Sequence, residues 1–593
     1  MASLSVSSGI WLKSCSSLSV ASSNYALSLS IDSLPPELFD DPLTLQNAVP
    51  LDLQQRQGYG ALKLEQNGAL RPGGQVALMT RRTVGLIVNY VAFGALCGGL
   101  NSLNIPLFSH YLQLQQYQIR AASMILNTAW MFKAFGGFLT DNLNICGYRR
   151  KPLLISGWVL CLASLLCLGT SGMPHPGEAE AAWRYLTFML FGSIGYFLAN
   201  SAADAIVVEI AQREPLSIRG HTQVSVFAAR MFGAIIMNIF VTGTLNGSAY
   251  GGSFSWSFNV NQVLLVMSTC PVISLVSSIW FLYEKPTRQA VPMFACSEER
   301  SRSAAFGYQQ QNPSSFDQSM GLGKRCQLIW RLIQSRVMWQ LLMFELMTSF
   351  CSAIDSSAVP AIEANWVNMA AWPRSIAFAV WCLAFIAGLF AIQRFLLQKP
   401  WRYLYCIATV WVVGIDIVTV ACTVFNVLRN RSFWLYMRVL AAPAVALRFI
   451  VQLLPIVELA PREIEGTTYG LVITFRHMAI PLGVTAYNTI GSYFSVSQED
   501  VHRDSGATRV QVTFTYLIAW TFQLISIAFL GLLPRQKLEV QQLRYYGGYS
   551  IFGGWLVVVV LFSVLTYETI ASVLSLFEST SCLRMTGGTG CGK

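Results

Sequence analysis

Arg230 lies ten residues after Gly220, and Arg476 lies ten residues after Gly466. Each glycine follows a related acidic segment, Glu209 with Arg213-Glu214 in one case and Glu458 with Arg462-Glu463 in the other. Both arginines fall inside apolar runs. An arginine in hydrocarbon costs about 2.5–3.5 kcal/mol or more, so it persists where it has a partner or a hydrated route. Lys133, Asp204, Glu345 and Arg448 are also set in apolar surroundings. Bases in such places bind carboxylates, and acids there exchange protons because burial disfavours their charged form. At about 1.5 Å per residue, Arg230 sits roughly 15 Å into its helix, and an Asp204–Arg230 pair is the expected way to neutralise both charges. A proton or a substrate carboxylate would open that pair; a purely structural pair is the alternative. Lys133 either snorkels to the inner face or meets an anionic substrate or an intramembrane acid.

The elements that hold these residues are membrane helices. Of the 593 residues, 54% are hydrophobic and 12% charged, against about 25% charge in soluble domains. Apolar stretches of crossing length predict spans at 83–101, 119–139, 152–172, 183–204, 221–244 and 259–283, then 337–357, 373–393, 403–426, 433–457, 467–494 and 511–533, with a further apolar run at 551–577. The expected fold is therefore an all-α membrane protein of two six-helix halves plus one C-terminal hydrophobic segment. Its parts are a largely disordered cytosolic tail over 1–82, halves over 83–283 and 337–533, a mostly disordered cytosolic linker over 284–336, and a final region over 534–593. Matched arginines in the two halves suggest a duplicated bundle with a polar path between them.

The net charge of +11 fits short basic loops on one side of the bilayer, the cytosolic side, rather than nucleic-acid binding. Two glycosylation sequons, at Asn246 and Asn430, fall in predicted outer loops. Most of the 14 cysteines lie in spans and read as small apolar residues, with no paired metal spacing. If 551–577 crosses, Cys582 and Cys591 lie outside and can form a disulfide. The terminal Gly587…Gly592-Lys593 has the spacing of a phosphate loop but no following Ser/Thr or helix. No catalytic set stands out, so neither an enzyme nor a cofactor is expected.

One loop joins acid and base at a helix end. Gly136-Gly137 and Asp141 precede Gly147-Tyr148-Arg149-Arg150-Lys151. Such a loop forms a charge latch that is made in one conformation and broken in another; Glu209, Arg213, Glu458 and Arg462 are further members of that gate. Plain membrane anchoring by the bases is the alternative.

The run Trp130…Lys133…Gly136-Gly137…Asp141, then Gly147-Tyr148-Arg149-Arg150-Lys151-Pro152, resembles the folate–biopterin transporter family, a branch of the major facilitator superfamily. Asp204 to Glu209 with Arg213-Glu214, Gly220 and Arg230 is similar to the same pattern. Departures are Ala129 where proline is expected and a 142–146 loop without proline. The resemblance implies an alternating-access carrier of folate- or pterin-type anions with the proton as coupling ion. It ranks Asn89, Asp204, Glu345 and Arg448 first among the path-lining residues, beside Lys133, Arg230 and Arg476. A carrier of another small solute, or a non-transporting membrane receptor or scaffold, are the alternatives. The plasma membrane is the expected location, with an organelle membrane such as that of a plastid as the alternative.

Overall fold

Residues 68–145, 147–178, 180–284 and 321–583 are described by a computed structural model, and every regular element among them is helical. The first group comprises α1 (Val84–Asn104), α2 (Gln116–Met131), α3 (Lys133–Asn142), α4 (Lys151–Thr170), α5 (Ala181–Ala211), α6 (His221–Thr244), α7 (Val260–Met267) and α8 (Thr269–Trp280). Then follow α9 (Leu322–Gln334), α10 (Arg336–Ala353), α11 (Val359–Asn365), α12 (Ala371–Phe395), α13 (Trp401–Val424) and α14 (Arg431–Leu459). The chain continues with α15 (Glu465–Gly491), α16 (Gln498–Arg503), α17 (Gly506–Ile525), α18 (Lys537–Tyr546), α19 (Ile551–Leu574) and α20 (Glu578–Ser581). Hydrocarbon offers no partner to a peptide group, so each crossing pairs its own N–H and C=O as helix.

Among the described residues, ten helical stretches are long and apolar enough to cross a bilayer, α19 included. The α2–α3 pair, α10 and α15 are not among them. The break at Phe132 leaves α2 and α3 too short singly, and α10 and α15 carry Glu345 and Arg476 among their apolar residues. These helices are shielded by the others: the halves meet along α3 against α15 and α6 against α12, and α19 packs on α2, α10 and α15.

Several expectations change. The span over 119–139 is broken at Phe132, whose ψ of 18° ends α2 and caps α3. The freed N–H of Ala134 is taken by Thr474 Oγ1 of the other half at 2.8 Å. The linker is not structureless throughout. Within it, α9 docks on α19 through Trp330 and Trp555, whose rings meet edge-on with centroids 5.5 Å apart; residues 285–320 lie outside the described residues. The described end of the N-terminal tail packs on the bundle, with Leu70 and Arg71 N–H donating to Gln212 O at 2.9 and 3.1 Å. Asn246 is 3% exposed and offers no room for a glycan, whereas Asn430 caps α14. Cys582 is disulfide-bonded, while Cys591 and the 587–593 glycine run lie outside the described residues.

Candidate functional site: a central charge cluster above a basic gate

The seam between α2–α3 and α15 is written in one stripe. Gly466, Gly470, Thr474 and His477 follow helical 4-4-3 spacing and share a face of α15. Against them lie, in order, Gly137, Lys133, Ala134 and Trp130. A Cβ on Gly137 would stand 2.0 Å from Gly466 O, so only glycine lets the backbones approach this closely. Toward mid-membrane the stripe ends in rings: Trp130 and His477 stack with centroids 5.4 Å apart and planes inclined by 27°.

Polar side chains gather around Trp130. Lys133 Nζ is 2.5 Å from Asp204 Oδ2 and donates to Asn200 Oδ1 at 2.6 Å. Asn200 and Asp204 are one turn apart on α5, so a single ammonium reaches both. Tyr90 of α1 donates its hydroxyl to the other Asp204 oxygen. The expected Asp204–Arg230 pair is therefore corrected: Lys133 is the partner of Asp204. Arg230 lays its guanidinium over the Trp130 ring, 4.9 Å from the centroid, the same distance as Lys133 Nζ. At this level α1 and α6 cross closely, and a Cβ on Gly94 would fall 1.7 Å from Arg230 O. Snorkelling of Lys133 is excluded by its 2% exposure and its acid.

The second half builds a counterpart. Arg476 Nε donates to Glu345 Oε2 at 3.1 Å, and its terminal nitrogen bonds Gln452 Oε1. Gln452 Nε2 in turn donates to Thr348 Oγ1 at 3.2 Å. Glu345 Oε1 is buried with no hydrogen-bond partner. The two clusters are linked by Phe227 and Phe449, edge to face at 4.8 Å, with Arg476 over Phe449. Arg448 is not part of this pair. It bonds Ser352 and sits over the Tyr405 ring, and Ser352 lies two helical turns along α10 from Glu345, about 10 Å away.

At the end where α3 stops and α15 starts, the halves are joined by ions. Asp141 accepts from Gly466 N at 3.2 Å and from Thr467 N and Oγ1 at 2.6 and 2.8 Å, so a carboxylate of one half caps a helix of the other. Arg149 lies 3.7 Å from Asp141 and donates to Glu463 O at 2.5 Å. Arg150 bridges Glu209 at 2.5 Å and Glu465 at 2.8 Å. Arg213 pairs with Glu209 at 2.8 Å within its own half. Arg219 and Glu458 pair across the halves at 2.7 Å, and Gln541 of α18 donates to the same acid at 2.7 Å. Two expected gate members do not take part. Lys151 donates to Ile279 O and Leu282 O at 2.9 and 3.1 Å, closing the end of α8. Arg462 is exposed and makes no ion pair among the described residues.

This ionic cluster also holds residues that the sequence reading had not placed there. Arg71 inserts between Glu465 and Glu209; burial draws its pKa down to about 10, so it stays charged near neutrality. Arg325 of α9 donates to Asp141 O at 2.6 Å and reaches Glu463 at 3.8 Å, touching both halves. Nothing in the polar lead-in singles out Arg71. The amphipathic run of α9, with Lys324-Arg325 beside Trp330, was the available signal for Arg325.

A sequence model of the BT1 family matches residues 99–543. The chain belongs to the BT1 family. Among its relatives, a folate-biopterin transporter of Synechocystis is 20% identical over 426 residues, covering 70% of this chain and 74% of that protein. Folate transporter 1 of Plasmodium falciparum is 30% identical over 180 residues, 30% of this chain and 32% of that one. Of solved structures, a D-xylose-proton symporter superposes with a TM-score of 0.52 at 12% identity, over 77% of this chain and 98% of that one. This BT1 protein thus has the major-facilitator fold. It is a multi-pass membrane transporter and not an enzyme.

Proposed function

We propose that this BT1 protein carries folate- or pterin-type organic anions by alternating access, driven by co-transported protons, with the plasma membrane as its location. The observation that carries the reading is the pair of half-sites, Lys133–Asp204 and Arg476–Glu345, set on opposite sides of one seam. Each couples a buried base, suited to a substrate carboxylate, to a buried acid that takes a proton when the base is called away. The names of the relatives support the substrate class. The xylose relative is named a proton symporter, which agrees with the coupling.

In this reading the basic end is cytosolic, by the bias of Lys and Arg in short loops. The gate of Asp141, Arg149, Arg150, Glu209, Arg219, Glu458 and Glu465 is then shut toward the cytosol, and transport requires its ion pairs to break. The halves span 83–283 and 337–533, joined by the linker 284–336, with 534–593 as an added region. Uptake of labelled folate and biopterin into null cells expressing the protein, measured across external pH, tests the proposal. Uptake that rises as external pH falls is expected. A protein present at the surface that moves no pterin at any pH overturns the substrate reading.

A further inference from the structure

The stack of Trp130 on His477 joins the two halves and lies where three cations converge. Lys133 and Arg230 each stand 4.9 Å from the Trp130 ring centre. Arg476 adjoins His477 in sequence. Lys133 and Arg476 are answered by Asp204 and Glu345, whereas Arg230 makes no ion pair among the described residues, so a flat ring bearing negative charge at this place gains from Arg230. The position therefore offers an indole face with Lys133 and Arg230 set against it.

We propose that a planar heteroaromatic anion stacks on Trp130 in the place His477 occupies here, its charge met by Arg230. This deepens, and rests on, the transport reading above. Sandwiching a third ring between the two needs about 7 Å between the flanking rings, so at 5.4 Å the imidazole must leave as the substrate enters. His477 is then a stand-in that fills the empty site, and its departure separates α2 from α15 at the middle of the seam. Trp130 selects for flatness. A saturated anion of equal charge would meet the same bases without the stack.

The test uses the full-length purified protein and its Trp130→Phe, Trp130→Leu and His477→Ala variants, with binding read by isothermal titration or thermal stabilisation. The probes are pterin-6-carboxylate, folate and, as a non-planar anion, citrate. Trp130→Leu is expected to weaken pterin-6-carboxylate by about tenfold or more, Trp130→Phe by less than about threefold, and His477→Ala to leave binding equal or tighter. Citrate is expected to bind weakly and alike to all. Equal binding of pterin-6-carboxylate to wild type and Trp130→Leu overturns the stacking site, as does loss of binding in a well-folded His477→Ala protein. If Trp130→Leu fails to fold, His477→Ala and Trp130→Phe still decide. Folate uptake with unchanged KM in Trp130→Leu would sink this inference and leave the transport reading intact. Binding of some other planar anion that depends on Trp130, with no pterin bound, would sink the substrate reading and keep the site. A wild-type protein that binds no planar anion overturns both.

Discussion

Lys133 and Asp204 meet where neither has water to fall back on, and that decides what happens when one is removed. Taking away a single partner of a buried pair costs about 3–5 kcal/mol, because the other charge is left unmatched. Lys133→Ala is expected to lower the yield of monodisperse protein on size-exclusion, and the double variant Lys133→Ala/Asp204→Ala to restore it. Uptake is expected to stay down by about tenfold or more in both, equal to about 1.4 kcal/mol of lost transition-state binding. Recovery of uptake in the double variant would show the pair to be structural. Lys537, outside the spans, gives a pH test. Burial lowers its pKa from 10.5 to about 8, with Glu458 opposing the shift. Between those values the unfolded chain binds more protons than the folded one, so stability rises with pH across that window, and the cost of the buried ammonium is complete below it. The melting temperature of wild type is expected to gain on that of Lys537→Met between pH 7.5 and 9.5. Which residues lie at depth was legible from the sequence, since depth follows from rise per residue. Which of them touch was not: Asp204 takes Lys133 over Arg230, and a helix's rotation about its axis leaves little trace in apolar periodicity when every face is apolar.

The element most exposed to perturbation is the α3–α15 contact. Gly137→Leu would drive a side chain into Gly466 O, and its expected result is a chain that folds but is held off the gate-closed state. A single cysteine at Thr467 reports this through its reaction with a charged thiol reagent added from the basic end. Labelling several-fold faster than in the Gly137 parent is expected, and Arg150→Ala should act in the same direction by freeing Glu465. Unchanged labelling in both would mean the gate does not depend on these contacts. At this scale the contact of Arg149 with Asp141 was readable, since Asp141 beside Arg149-Arg150 carries acid and base together at a helix end. The break at Phe132 was hidden, because no proline or glycine marks it and the vacated N–H is satisfied only by Thr474 of the other half. The ion pairs of Arg71 and Arg325 were hidden for a different reason: each lies beyond the apolar runs, and its acids are brought to it by tertiary packing alone.

Across the whole molecule, the halves also touch away from the gate. Asn238 of α6 accepts from Ser375 of α12 at 2.5 Å. Pairing cysteines at these positions should tie the halves together, so uptake by Asn238→Cys/Ser375→Cys is expected to fall under mild oxidant and return with dithiothreitol. Uptake indifferent to a verified crosslink would mean the halves need not separate there. The two-half plan was legible because hydropathy counts crossings well; among the described residues it falls short at α2–α3, which the break at Phe132 shortens, and at α10 and α15, which carry Glu345 and Arg476. Helix α19 is long and apolar enough to cross, which has a practical outcome. A crossing by α19 would carry Glu578 and the disulfide-bonded Cys582 to the face opposite Arg71. In the proposed orientation, an epitope placed beside Glu578 is stained on intact cells, whereas one fused ahead of Arg71 is reached only after permeabilisation. Molecules delivered to the surface can then be counted without relying on their turnover.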